Sequence, residues 1–161
     1  RHLALHPLSD AEVDALLSRH LPDIDPADAR DLSLLASGSP GLALELAGAG
    51  GAEIYQMIKA LFDELPNIEM SRVHALADTI SKRKKDDAFA TFSLILTHLI
   101  EAKIRLASRG GDVDALPVQS WLAFYDESVE ELAKARGLNL EPRYVILSLF
   151  SHLGQIAKTQ A

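Results

Sequence analysis

Ala36-Ser37-Gly38-Ser39-Pro40-Gly41-Leu42-Ala43-Leu44-Glu45-Leu46 is one helix stopping and another starting at once. Gly38 can take the left-handed backbone that ends the preceding helix without a steric cost. Ser39 can cap the next helix through its hydroxyl. Pro40 suits the first helical position, where no backbone donor is needed. Gly41 leaves that first turn without a side chain, so another backbone or a ligand can approach closely. Leu42, Leu44 and Leu46, with Ala36, Ala43 and Ala47, make small apolar helices that must pack on neighbours.

Upstream, His2-Leu3-Ala4-Leu5-His6-Pro7-Leu8 alternates apolar and polar residues and stops at a proline, which predicts a short extended lead-in. Ser9-Asp10-Ala11-Glu12 has the pattern of a capping box, in which Glu12 returns a hydrogen bond to the Ser9 backbone. Val13, Leu16 and Leu17 continue that helix to about His20, and Pro22 closes it. Asp25-Pro26 opens a second helix by cap and first-position proline, carrying Leu32, Leu34 and Leu35 to Ser37. The third follows Ser39 and ends at Gly48-Ala49-Gly50-Gly51, the clearest linker in the chain. Three capped helices over 1–49 and a second helical unit over 52–161 are the expected domains.

The second unit reads as about five helices. Glu53 to Leu65 carries Ile54, Met57, Ile58 and Leu61 on one stripe and stops at Pro66-Asn67. Ser71 is expected to cap a helix holding Val73, Leu76, Ala77 and Ile80. The longest pattern, Ala88 to about Ser108, places Phe89, Phe92, Leu96 and Leu99 at steps of three and four. Gly110-Gly111-Asp112 ends it. A helix from Pro117 to Arg136 carries Trp121, Leu122, Tyr125, Val129 and Leu132 and stops at Gly137. Glu141-Pro142 starts the last, with Ile146, Leu149, Phe150, Leu153 and Ile156 as its stripe. No stretch reads as a sheet, and the fold class expected is all-α.

The chain has 161 residues, 48% apolar and 24% charged, a globular profile with material for a core. No apolar run approaches the ~18 residues that a membrane span needs. Arg1 is not an initiator methionine, which marks a fragment or processed product and leaves an upstream targeting segment open. With no cysteine, disulfides, thiolate zinc sites and cysteine nucleophiles are out, a usage compatible with the cytoplasm. The formal charge is −7, with 3 basic against 8 acidic residues before Gly51 and 13 against 15 after it. That balance disfavours attraction of DNA by the whole domain and leaves only a local patch.

That patch is Lys82-Arg83-Lys84-Lys85, followed by Asp86-Asp87. It reads either as a contact for DNA phosphates or an acidic neighbour, or as a solvated helix end whose cations favour the carbonyl terminus. The six histidines do not assemble a metal site. His2 and His6 flank an extended segment, and His98 with Glu101 lacks the second pair that a carboxylate-bridged centre requires. Ser151 and His152, adjacent on a helix, point apart and make no nucleophile–base pair. Among Trp121, Phe124 and Tyr125, Phe124 falls beside the stripe and is the expected exposed subunit contact, with Trp121 and Tyr125 in the core. Excess apolar face is expected on the helices 88–108 and 141–158.

Gly38-Ser39-Pro40-Gly41-Leu42-Ala43-Leu44-Glu45-Leu46 resembles the helix junction in the lid of AAA+ ATPases of the clamp-loader clade. Leu3-Ala4-Leu5-His6-Pro7-Leu8-Ser9-Asp10-Ala11-Glu12, at its distance upstream, strengthens that resemblance, which covers residues 1–51. In the ATP-hydrolysing relatives the junction carries an arginine, the sensor-2 residue, that reaches the nucleotide phosphates. Here Gly41 occupies that position, and no lysine or arginine stands between Arg30 and Lys59. Phosphoryl transfer needs cations to stabilise charge on the transferred group. The resemblance therefore implies a non-hydrolysing subunit, with Gly38, Ser39, Pro40 and Gly41 as a degenerate nucleotide-site junction. It implies no cofactor, no metal and no enzyme activity of the chain alone.

By the same resemblance, the second unit is the helical collar through which the subunits close a hetero-oligomeric ring. The partners implied are other clamp-loader subunits, with DNA met only through the assembled complex, no membrane, and the isolated fragment a monomer. A Ser-Arg-Cys motif, whose arginine serves a neighbour's nucleotide site, would precede Arg1. The alternatives are an ATP-hydrolysing motor subunit of the same clade and an unrelated all-helical adaptor or enzyme.

Overall fold

The computed structural model describes residues 6–82, 85–109 and 116–160, with the side chains of 85–87 left aside. Among these residues the chain is all-α, with no strand. Its helices are α1 (Asp10–His20), α2 (Pro26–Ala36), α3 (Pro40–Gly48), α4 (Gly51–Asp63), α5 (Met70–Lys82), α6 (Lys85–Ser108), α7 (Val118–Gly137) and α8 (Pro142–Gln160). The chain divides into two compact units, Arg1–Tyr55 and Gln56–Ala161. That division falls inside α4, a few residues beyond the Gly48–Gly51 break that the sequence suggests.

The first unit is built on local capping. Ser9 accepts a hydrogen bond from the Glu12 backbone while the Glu12 carboxylate accepts one from the Ser9 N–H at 2.8 Å, so both halves of the capping box form. The Asp25 carboxylate accepts from Ala27 N–H at 2.7 Å, with Pro26 starting α2. Helices α1, α2 and α3 all pack on one another. Val13, Leu17, Ala29, Leu32, Ala43 and Leu46 are buried between them. Ser33 is buried as well, and its hydroxyl donates to the Ala29 carbonyl at 2.7 Å, which satisfies it within its own helix.

In the second unit α5 packs on α6, α6 on α7, α7 on α8, and α8 back on α5. This closed order makes an up-down-up-down four-helix bundle. Phe62, from the second half of α4, joins its core. The Phe62 ring lies 5.5 Å from Trp121 of α7 and 6.3 Å from Phe150 of α8. Phe92, Ile95, Leu96, Leu76, Ile80, Ile146, Leu149 and Leu153 fill the remainder. Polar pairs bridge adjacent helices. Tyr125 Oη donates to Glu101 at 3.2 Å. Arg143 pairs with Asp78 and lies 3.2 Å from the His74 ring, and His152 meets Glu127.

Phe124 corrects the sequence reading. It is fully buried, 6.5 Å from Trp121 in an edge-on arrangement, and belongs to the core rather than to an exposed contact surface. The buried face of α7 is Trp121, Phe124, Ser128, Leu132 and Ala135. At ~100° per residue these fall within an arc of about 80°, rotated roughly 90° from the arc of Leu122, Tyr125 and Val129. Ser128 disguises this stripe in the sequence. Its hydroxyl donates to the Phe124 carbonyl at 2.7 Å, so a polar residue sits in the middle of the core face at little cost. Leu122 and Val129 are exposed instead, and Tyr125 is half-buried.

Two helix ends also differ from expectation. Helix α5 starts at Met70, so Ser71 lies inside the first turn and its hydroxyl donates to Glu69 at 2.6 Å. Helix α7 runs through Gly137, and the left-handed residue that stops it is Asn139 (φ 50°). Leu140 N–H reaches the Ala135 carbonyl at 2.9 Å and Asn139 N–H the Arg136 carbonyl at 3.4 Å. These are the paired bonds of a Schellman stop, with asparagine where glycine is more usual. The expected stop at Gly110-Gly111-Asp112 lies outside the described residues, as does the lead-in before His6.

Candidate functional site

The α2–α3 junction is built from backbone requirements. Helix α2 ends at Ala36, and Ser37 (φ 47°) and Gly38 (φ 83°) both turn left-handed. Gly38 is required on two counts. Beyond its backbone angle, a Cβ there would lie 2.4 Å from the Leu8 carbonyl oxygen and 2.6 Å from the Pro7 side chain. That closeness is held by a hydrogen bond, Leu8 N–H donating to the Gly38 carbonyl at 3.1 Å. The segment before α1 is thereby fixed against the junction. Ser39 accepts from Leu42 N–H at 3.4 Å and Pro40 takes the first position of α3.

Gly41 is exposed, and a Cβ built on it meets nothing within 4 Å. A side chain could therefore begin at this position without a collision at its Cβ, and none is present. What the junction presents is backbone N–H groups at the start of α3 and no side-chain cation in its own sequence.

Lys82 is the exposed last residue of α5, where a cation suits the helix carbonyl end. Arg83, Lys84 and the Lys85 side chain lie outside the described residues. The Nδ1 of His98 lies 3.1 Å from the Leu94 carbonyl one turn back on its own helix. Among the described residues no group of three or more histidine, aspartate or glutamate side chains comes together as a metal site. No helix of the described residues is long and apolar enough to cross a membrane.

Two surface features have no local signature in the sequence. Leu138 (71% exposed), Leu140 (42%) and Tyr144 (73%) are clustered in sequence across the α7–α8 turn. They lie around the Asn139 stop, two residues beyond Gly137. The other is a groove of about 400 Å³ in the first unit, between the α1–α2 turn and the α3–α4 turn. Its two walls are some 25 residues apart in sequence, and no local pattern announces it.

Comparison of the chain with protein-family models, curated proteins and solved structures gives no match.

Proposed function

We propose that this chain is the lid and ring-forming helical part of a delta-prime-like subunit of the bacterial DNA polymerase III clamp loader. In this reading residues 1–49 are the AAA+ lid and 52–161 the collar. The subunit holds a hetero-oligomeric ring together and serves loading of the sliding clamp during DNA replication, in the cytoplasm, without hydrolysing ATP itself. DNA is met through the assembled complex, with the Lys82–Lys85 run as the candidate contact.

The observation that carries the proposal is Gly41. Gly41 is exposed and a Cβ built there meets no neighbour, so the lack of a side chain at this position is not forced by a collision at Cβ. A junction that keeps its capping and its close backbone contact but drops the phosphate-binding charge suits a subunit retained for assembly. A helical bundle following a three-helix unit agrees with the order of lid and collar.

The test is reconstitution. The full-length protein is combined with the ATP-hydrolysing clamp-loader subunits and the sliding clamp of the same source, and clamp loading on primed DNA is followed. The proposal expects ATP-dependent loading that falls when this protein is left out. Loading indifferent to its presence, or ATP hydrolysis by this protein alone, would overturn it.

A further inference from the structure

The groove at the far end of the first unit has a chemistry of its own. Helix α1 begins beside the α2–α3 junction, as the Leu8–Gly38 hydrogen bond shows, and ends at His20. The α1–α2 and α3–α4 turns therefore meet at the opposite end of the three-helix unit, away from Ser39 and Gly41. Between them Leu21, Ile24 and Ala52, all half-buried, make an apolar floor. Asp23, Asp28 and Glu53 stand around it, and no lysine or arginine lines it. Its volume of about 400 Å³ lies within the range of binding clefts, about 300–1,000 Å³.

The surrounding charge has the same sign. Residues 1–55 contain Arg1, Arg19 and Arg30 against nine aspartates and glutamates. An apolar floor inside an acidic rim, on an acidic unit, complements an apolar side chain flanked by cations. We propose that this groove binds a short segment of a partner protein in which one leucine-sized residue is flanked by lysine and arginine. The apolar side chain seats on Leu21, Ile24 and Ala52, and the flanking cations face Asp23, Asp28 and Glu53. The inference is independent of the reading of the Ser39–Gly41 junction, from which the groove is spatially separate.

The probe is the peptide acetyl-KRLKR-amide, titrated into the isotopically labelled 161-residue chain and followed by amide chemical shifts. Two controls separate the contributions: acetyl-KRSKR-amide keeps the charge, and acetyl-SSLSS-amide keeps the apolar residue. The proposal expects saturable shifts concentrated at Leu21, Ile24 and Ala52 with the first peptide, and binding weaker by about tenfold or more with either control. Asp23→Asn with Asp28→Asn should weaken the first peptide roughly tenfold. The circular dichroism of that variant should be unchanged, because Asp25, which caps α2, is left in place. Equal binding of the serine peptide, or shifts spread over the acidic surface, would reduce the groove to bulk charge attraction and overturn the proposal. Absence of shifts, or the same amides moving with protein concentration before any peptide is added, would overturn it too, the latter by making the occupant a second copy of this chain.

Discussion

Leu8 and Gly38 hold each other in place: the Leu8 N–H donates to the Gly38 carbonyl at 3.1 Å, and the Leu8 carbonyl oxygen fills the space a Gly38 side chain would need. The segment before α1 and the turn between α2 and α3 are therefore one structural feature, although thirty residues of sequence separate them.

Gly38→Ala should destabilise the first unit by at least about 2 kcal/mol, since the left-handed backbone and the collision both act against it. Gly41→Ala is the matched control. With nothing near its Cβ and a helical backbone, it should be neutral or stabilising by up to about 1 kcal/mol. Urea denaturation followed by circular dichroism distinguishes the two. Equal effects would show that the junction does not depend on the Leu8 contact.

The capping box makes a prediction about pH. The Ser9 hydroxyl and then the Ser9 backbone N–H, both bonded to the Glu12 carboxylate, hold its pKa below the ordinary glutamate value. A group whose folded pKa is depressed adds stability above its unfolded pKa and loses it as the pH falls through the folded one. The destabilisation caused by Ser9→Ala should therefore be larger at pH 7 than at pH 3. An NMR titration should show the Glu12 midpoint rising towards the ordinary value in that variant. An unchanged midpoint would mean that the box does not persist in solution.

Phe124→Ala should cost about 3–5 kcal/mol, the range for an aromatic ring removed from a packed core. Leu122→Ala, two positions away and 45% exposed, should change stability by no more than about 0.5 kcal/mol. Chemical denaturation of both variants checks the orientation of α7. A reversed order would put Leu122 in the core and restore Phe124 as a surface residue.

Asn139→Gly should stabilise the chain by a few tenths of a kcal/mol to about 1 kcal/mol, because glycine takes the left-handed position without strain. Asn139→Val should do the opposite, since a β-branched residue fits poorly at φ 50°. Thermal denaturation of the pair is the check, and no difference between them would contradict a Schellman stop at this residue.

What the sequence disclosed was local. The Ser9–Glu12 box, the Asp25-Pro26 start and the Ser39-Pro40 start each depend on side chains within three residues of the backbone groups they serve. The long stripe of α6 was legible because Phe89, Phe92 and Leu96 are apolar throughout. The face of α7 was not, because a buried serine at 128 interrupts it and exposed Leu122 and Val129 imitate a stripe beside it. The stop of α7 was displaced by two residues because asparagine and glycine compete for the left-handed position, and the hydrogen bonds decide. The acidic groove depends on two turns meeting in space. For the junction, the sequence showed the conformational reason for Gly38 but not the Leu8 contact that also demands it.

The central claim is that this protein builds a mixed ring with ATP-hydrolysing subunits. Native mass spectrometry of the full-length protein, mixed with the ATP-hydrolysing clamp-loader subunits of its own source, tests it most directly. The expected result is a discrete hetero-oligomer that contains this protein together with the ATP-hydrolysing subunits. Separate masses for every component, or a homo-oligomer of this protein alone, would contradict it.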